Sequence, residues 1–128
     1  MKTIKIYCKE CGSELTNELT EFPKADLCWE GEQDIMPKNN FSILTHLNEK
    51  FIVVAIDEYN LKNHLDESRF NGFSGSNGTN GLNKLCLNGH EVATEFSDYW
   101  TGDYIRFVID NVVIKEKIDE FTFKRLRL

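Results

Sequence analysis

The chain has 128 residues, which fits a single domain able to bury roughly two-thirds of its unfolded surface. Hydrophobic residues make up 41% of it, and 15 Lys and Arg against 21 Asp and Glu give a formal net charge of −6, which disfavours non-specific binding to nucleic acid or anionic membranes. No stretch approaches the roughly 20 apolar residues of a spanning helix, and the start turns polar at Cys8 before a signal-peptide core could form. We therefore expect one cytoplasmic domain over residues 1–128, without nucleic-acid or membrane partners.

The first element is a short alternating strand that carries Ile4 and Ile6 and leads into Cys8-Lys9-Glu10-Cys11-Gly12. Two thiolates spaced C-x-x-C, with a glycine after the second, direct both sulfurs at one point and form half of a tetrahedral zinc site. Cys86 and His90, spaced C-x3-H, supply the other half. The spacing thus predicts a structural Zn²⁺ that joins the start of the chain to its second half.

Cys28 is the rival for the fourth ligand position. A lone cysteine beside a tryptophan, here Trp29, is more typical of a small buried hydrophobic residue. In a reducing compartment four cysteines are more typical of thiols or metal ligands than of disulfides. Paired disulfides and a redox-active C-x-x-C are the alternatives, although the second lacks the βαβ pattern that would support it.

The middle of the chain predicts a buried strand followed by a helix. The β-branched run Phe51–Ile56 is typical of a central strand. The segment Asp57–Asp66 follows, with Asp57 as a helix cap and with Leu61 and Leu65 four residues apart on one face. We therefore predict one short helix after the central strand.

A glycine repeat occupies the next segment, with a glycine at every third position from Gly72 to Gly81. It lacks the glycine-lysine pattern of phosphate-binding loops. We interpret it as an ordered loop that delivers Cys86. A flexible surface loop and a ligand-binding loop are the alternatives.

The last third predicts antiparallel strands. Residues Glu91–Phe96 alternate as a strand with one solvated face, and Tyr104–Ile109 with Val112–Lys117 predict a hairpin around a two-residue turn. The segment Phe121–Leu128 is either a last strand or a basic end. Together the elements predict an α+β fold, a small mainly antiparallel β domain with one short helix and a staple like that of a zinc knuckle or zinc ribbon.

Three blocks of sequence resemble small bacterial zinc-knuckle proteins of the CxxCG type, which are similar to toxin-associated immunity proteins. The blocks are Tyr7–Gly12, Arg69–Gly72 with its glycine-rich continuation, and Cys86–Trp100. The resemblance implies protein binding, with a basic toxin domain as the partner. In such proteins a cysteine often precedes the tryptophan, where this chain has Tyr99, so the resemblance does not assign the fourth ligand.

The function that these features predict is a non-catalytic, zinc-stabilised, protein-binding module. A small zinc-dependent hydrolase or other enzyme is an alternative, but no H-E-x-x-H is present and a cysteine-rich shell usually closes the site. A zinc-ribbon nucleic-acid-binding protein is another alternative, which the acidic charge disfavours. The predicted contacts for a basic partner are acidic or aromatic: Asp57, Glu58, Glu91, Glu95, Asp98, Trp100 and Asp103.

Overall fold

The computed structural model describes residues 2–29, 33–72, 75–98 and 101–128. Their strands are β1 (Thr3–Cys8), β2 (Leu19–Glu21), β3 (Asn40–His46), β4 (Glu49–Val54), β5 (Leu61–Asn63), β6 (Lys84–Cys86), β7 (Glu91–Phe96), β8 (Tyr104–Val108), β9 (Val112–Asp119) and β10 (Thr122–Leu126). Three short 3₁₀ helices lie at Lys24–Asp26, Glu67–Phe70 and Ile109–Asn111.

All ten strands form one sheet, in the order β10-β9-β1-β2-β3-β4-β8-β7-β6-β5. Neighbouring strands run antiparallel except β2 and β3, and the pairing of β1 with β9 sets Ile4 opposite Glu116. The sheet is strongly curled, because the ends of β1 and β6 meet although five strands lie between them. The predicted α+β class is therefore wrong, since this is a nearly all-β fold.

The predicted helix at Asp57–Asp66 is absent; across the described segments no helix reaches seven residues. Leu61 instead lies in β5 opposite Cys86, and Leu65 is 93% exposed, so the two leucines do not share a buried face. The Asn60 N–H donates to the Leu15 carbonyl at 3.0 Å, a long-range bond that replaces a helical one. Tertiary pairing has overridden a local helical pattern.

In the described ranges no helix is long and apolar enough to span a membrane.

The predicted hairpin between residues 104 and 117 is wrong. β8 pairs with β4 and β7, whereas β9 pairs with β1 and β10. The segment Ile109–Asn111 connects β8 to β9. Two hydrogen bonds hold it: Lys9 N–H donates to the Asn111 carbonyl, and Asn111 Nδ2 donates to the Glu91 carbonyl. The hairpin partner of β9 is β10, so the basic tail is a strand.

The main core fills the inside of the curl. Its largest fully buried side chains are Phe41 and Phe107, packed with aliphatic residues from β1, β4, β8 and β9. Cys8 and Cys86 belong to this core and are 1% and 0% exposed. A smaller cluster forms around Val53, which alternates with core residues along β4. The candidate metal ligands Cys8 and Cys86 therefore occupy packed positions in the core.

The glycine-rich segment packs against the end of β7. The Ser76 hydroxyl donates to the Glu95 carbonyl at 2.6 Å, and Ser97 N–H donates to the Ser76 carbonyl at 2.8 Å. Asn83, which is 0% exposed, donates to Ser76 Oγ and accepts from the Glu95 N–H at 2.6 Å. These bonds hold the described part of the segment against the end of β7, next to the strand that carries Cys86.

Gly78 lies at a tight point of this segment. Its φ is 75°, and a Cβ there would sit 2.3 Å from Cε1 of the buried Phe96 ring. Gly81 also has a left-handed φ, 94°, but its Cβ would meet only the flexible end of Arg69 at 3.3 Å.

We expect Gly78→Ala to lower the free energy of unfolding by about 2 kcal/mol more than Gly81→Ala. Both substitutions carry the strain of a left-handed alanine, so the difference isolates the clash with Phe96. Urea unfolding followed by fluorescence measures it. Equal losses in the two variants would show that Gly78 is needed for its φ alone.

Candidate metal centre

Two tight turns present the predicted ligands. Cys8 ends β1, and in the turn after it the Gly12 N–H donates to the Cys8 carbonyl at 2.8 Å. Cys86 ends β6, and the Gly89 N–H donates to the Cys86 carbonyl at 2.9 Å. Gly12 and Gly89 have φ values of 73° and 92°, in the region that glycine adopts without a steric penalty. The sequence thus closes both turns in the same way.

The two turns face each other and bring four ligand atoms together. The Sγ atoms of Cys8, Cys11 and Cys86 and a ring nitrogen of His90 all lie within 4.8 Å of one another. Cys11 Sγ is 3.9 Å from Cys86 Sγ, and His90 Nδ1 is 3.7 Å from Cys8 Sγ and 3.3 Å from Cys86 Sγ. All four cysteines of the chain are free thiols.

These separations fit one metal ion at the centre of the group. Bonds of about 2.3 Å to sulfur and about 2.0 Å to nitrogen, at tetrahedral angles, place two sulfurs about 3.8 Å apart and a sulfur and a nitrogen about 3.5 Å apart. The observed distances fall on both sides of these values. The four residues could therefore hold a metal ion.

Hydrogen bonds favour the thiolate form of two of the cysteines. The Ser13 hydroxyl and the Asn88 amide group, 3.2 and 3.3 Å from Cys11 Sγ, lower the pKa of that thiol to about 5. Burial alone would raise the pKa of Cys86, but hydrogen bonds from the backbone of His90 and Asn88 outweigh it and lower the pKa. Thiolates are the form that binds metal.

The two remaining ligands respond in the opposite direction. Burial raises the pKa of the Cys8 thiol, because its sulfur lies in the main core. Hydrogen bonds to Cys11 and Cys86 raise the pKa of His90. A positive ion amid these groups would favour both deprotonated forms, so a metal suits the donor set.

The sequence did not indicate that Ser13 and Asn88 contact Cys11. Each stands two residues from a predicted ligand. A polar residue so close to a ligand is the sequence signal that could have identified them, because such side chains often hydrogen-bond to ligand atoms. Asn111 was missed as well, because its bond to Glu91 depends on a crossing connection that local patterns do not predict.

Cys28 lies outside the group of four. Its thiol is exposed and accepts a hydrogen bond from Gln33 Nε2 at 2.8 Å, while its N–H donates to the Ile35 carbonyl. The structure therefore places His90, and not the rival Cys28, with the three other cysteines.

The predicted partner-binding residues have varied surroundings. Glu58 is exposed, whereas Asp98 is 1% exposed, so its carboxylate does not lie on the surface as an interface residue would. Asp103 is half-buried, and Trp100 lies outside the described residues. The other three form ion pairs: Asp57 with Lys38 at 3.7 Å, Glu91 with Arg69 at 3.4 Å, and Glu95 with Lys84 at 3.2 Å. Glu91 also lies 3.7 Å from His64 Nε2.

Comparison with known proteins does not place the chain in a family: no protein-family model, curated protein or solved structure matches it.

Proposed function

We propose that the chain is a zinc-stapled, non-catalytic domain that acts by binding another protein. The observation that carries the metal assignment is the set of four ligand atoms within 4.8 Å, contributed by two turns that five strands separate in the sheet. An ion bound there joins the two turns directly. Its role would be to hold the curl of the sheet closed.

The donor set favours zinc among the biological metals. Three thiolates and one imidazole form a typical structural zinc shell, and the distances suit tetrahedral coordination. Catalytic zinc sites keep one position open for water, whereas here four protein ligands fill the shell. Thiolate ligands also suit a reducing compartment such as the cytoplasm, because oxidation would remove them.

The protein-binding part of the proposal is supported by the resemblance to immunity proteins and by the closed metal shell. A domain whose metal has no open position offers binding surfaces in place of metal-centred chemistry. Among the acidic residues predicted to contact a basic partner, Glu58 is exposed and has no ion pair in the described part of the chain.

We expect Cys11→Ser to lose the metal. Its free energy of unfolding should fall by several kcal/mol, up to about 10 kcal/mol. Because the Cys11 side chain is exposed, its replacement removes no core packing, so the loss reports on the metal. Elemental analysis and urea unfolding with and without EDTA measure it. Cys28→Ser, at a second exposed cysteine, is the matched control and should keep one zinc per chain.

EDTA should lower the stability of the wild type to that of Cys11→Ser and leave the variant unchanged. A wild type with the same unfolding midpoint in both buffers would exclude a stabilising metal.

We expect His90→Ala to weaken metal affinity by at least about tenfold and His90→Cys to restore it, because a thiolate can replace the imidazole as fourth ligand. Titration with Co²⁺ measures affinity and, through its visible spectrum, shows whether coordination is tetrahedral. His64→Ala is the control, since His64 contacts Glu91 and not the sulfurs. Unchanged affinity in His90→Ala would remove His90 from the site.

A further inference from the structure

β10 is an open edge of the sheet. It is the terminal strand, and within the described residues its backbone pairs with β9 alone. The opposite edge, β5, has only three residues, and the residue after it is tied down because His64 N–H donates to the Asn83 carbonyl. β10 therefore presents the longer free row of N–H and C=O groups, which is the template for adding another strand.

A row of cations crosses the sheet beside this edge. Lys5 of β1, Lys115 of β9 and Arg125 of β10 occupy directly opposite positions on three adjacent strands. Residues in such positions share one face of the sheet, where like charges repel. Lys5 forms an ion pair with Glu14 at 3.2 Å, but no acidic group of the described chain pairs with Lys115 or Arg125.

Aromatic rings hold this row in place. Lys115 Nζ lies 4.8 Å from the centre of the Tyr7 ring, and Lys5 Nζ lies 5.6 Å from the centre of the Phe123 ring. Cation–π contacts of this kind restrain ammonium groups at the surface. The row is thus preorganised, although no anion in the described part of the chain neutralises its centre.

On the other face of β10, Lys124 lies directly opposite Glu116 of β9. Lys124, the neighbour of Arg125, is exposed and belongs to none of the ion pairs of the described residues. Arg127 follows in the same basic segment and is exposed too. A strand added at this edge would therefore meet positive charge on the face of Lys115 and Arg125 and charges of both signs on the other face.

Protection of the edge does not account for the whole arrangement. A charge on the edge strand is enough to discourage aggregation. Here the row extends inward to Lys115, which has no acidic partner among the described residues and adds repulsion without protecting the edge. A ligand that carries negative charge beside the edge would relieve that repulsion.

We propose that β10 binds an extended acidic peptide segment by strand addition, with its carboxylates on the face of the sheet that carries Arg125 and Lys115. Backbone pairing supplies affinity, and the alternation of side chains along a strand gives selectivity. This proposal rests on the protein-binding role proposed above. It assigns an acidic segment to the edge of β10, in addition to the basic surface proposed to contact Glu58.

A single-stranded nucleic acid fits the same surface less well. Its phosphates can pair with cations but cannot provide the regular donors and acceptors that the β10 backbone requires. The rings of Tyr7 and Phe123 are partly buried and already contact lysines, so they offer poor platforms for stacked bases.

The test uses the full-length, zinc-loaded protein and a short fluorescein-labelled peptide that alternates threonine with glutamate. Anisotropy should show binding, and hydrogen exchange should show new protection of the β10 amides. Arg125→Glu should weaken binding at least about tenfold, and binding should return when lysine replaces glutamate in the peptide. This variant should fold, because its carboxylate lies opposite Lys115.

Lys62→Glu is the matched control, with the same charge change on the other edge strand. It should alter affinity less than about twofold, and N-methylation of the central peptide residues should abolish binding. The proposal is overturned if the wild type does not bind the acidic peptide, if Arg125→Glu binds it as well as the wild type, or if N-methylation has no effect. It is also overturned if oligothymidylate binds in place of the peptide.

Metal content is measured for every variant before titration. A zinc-loaded wild type without affinity for the peptide would reject the edge site while leaving the metal staple intact. A wild type that holds no zinc would reject the staple independently of peptide binding.

Discussion

The contact between the turn at Cys8–Gly12 and the turn at Cys86–His90 fixes the curvature of the sheet. Strand twist alone does not determine how far a ten-stranded sheet curls, so it does not bring the third and ninth strands together. Two small sets of bonds act beside the metal ligands: Asn60 N–H donates to the Leu15 carbonyl, and Asn111 contacts both Lys9 and Glu91. These contacts join the two ends of the curl beside the core.

The local part of the metal site could be predicted from sequence because each half is a self-contained turn. C-x-x-C followed by Gly12, and Cys86 with His90 around Gly89, have the spacing and the glycine conformation that such turns need. The supporting hydrogen bonds could not be predicted in the same way. Asn88 reaches Cys11 from the opposite turn, and that contact exists only after the sheet has curled.

The fold was less predictable because its strands pair mostly with distant partners. Single strands such as Glu91–Phe96 have a clear alternating pattern, and their positions were predicted correctly. The pattern does not say which strand lies beside which. β8 and β9 are neighbours in sequence but are separated in the sheet, and Leu61 pairs with Cys86 instead of with its own helical turn. Local propensity is a weak signal where long-range pairing decides.

The pairing of Ile4 with Glu116 also has a consequence for the newly made chain. During synthesis β1 emerges before β2 to β8, but β9, which lies beside it in the sheet, emerges after them. Contacts so distant in sequence must close a long loop before they contribute, which slows folding. Until then one side of β1 and the sulfurs of Cys8 and Cys11 stay open to solvent and to other chains. The folding of this molecule therefore depends on the presence of β9 and β10 more than on the order in which the strands are made.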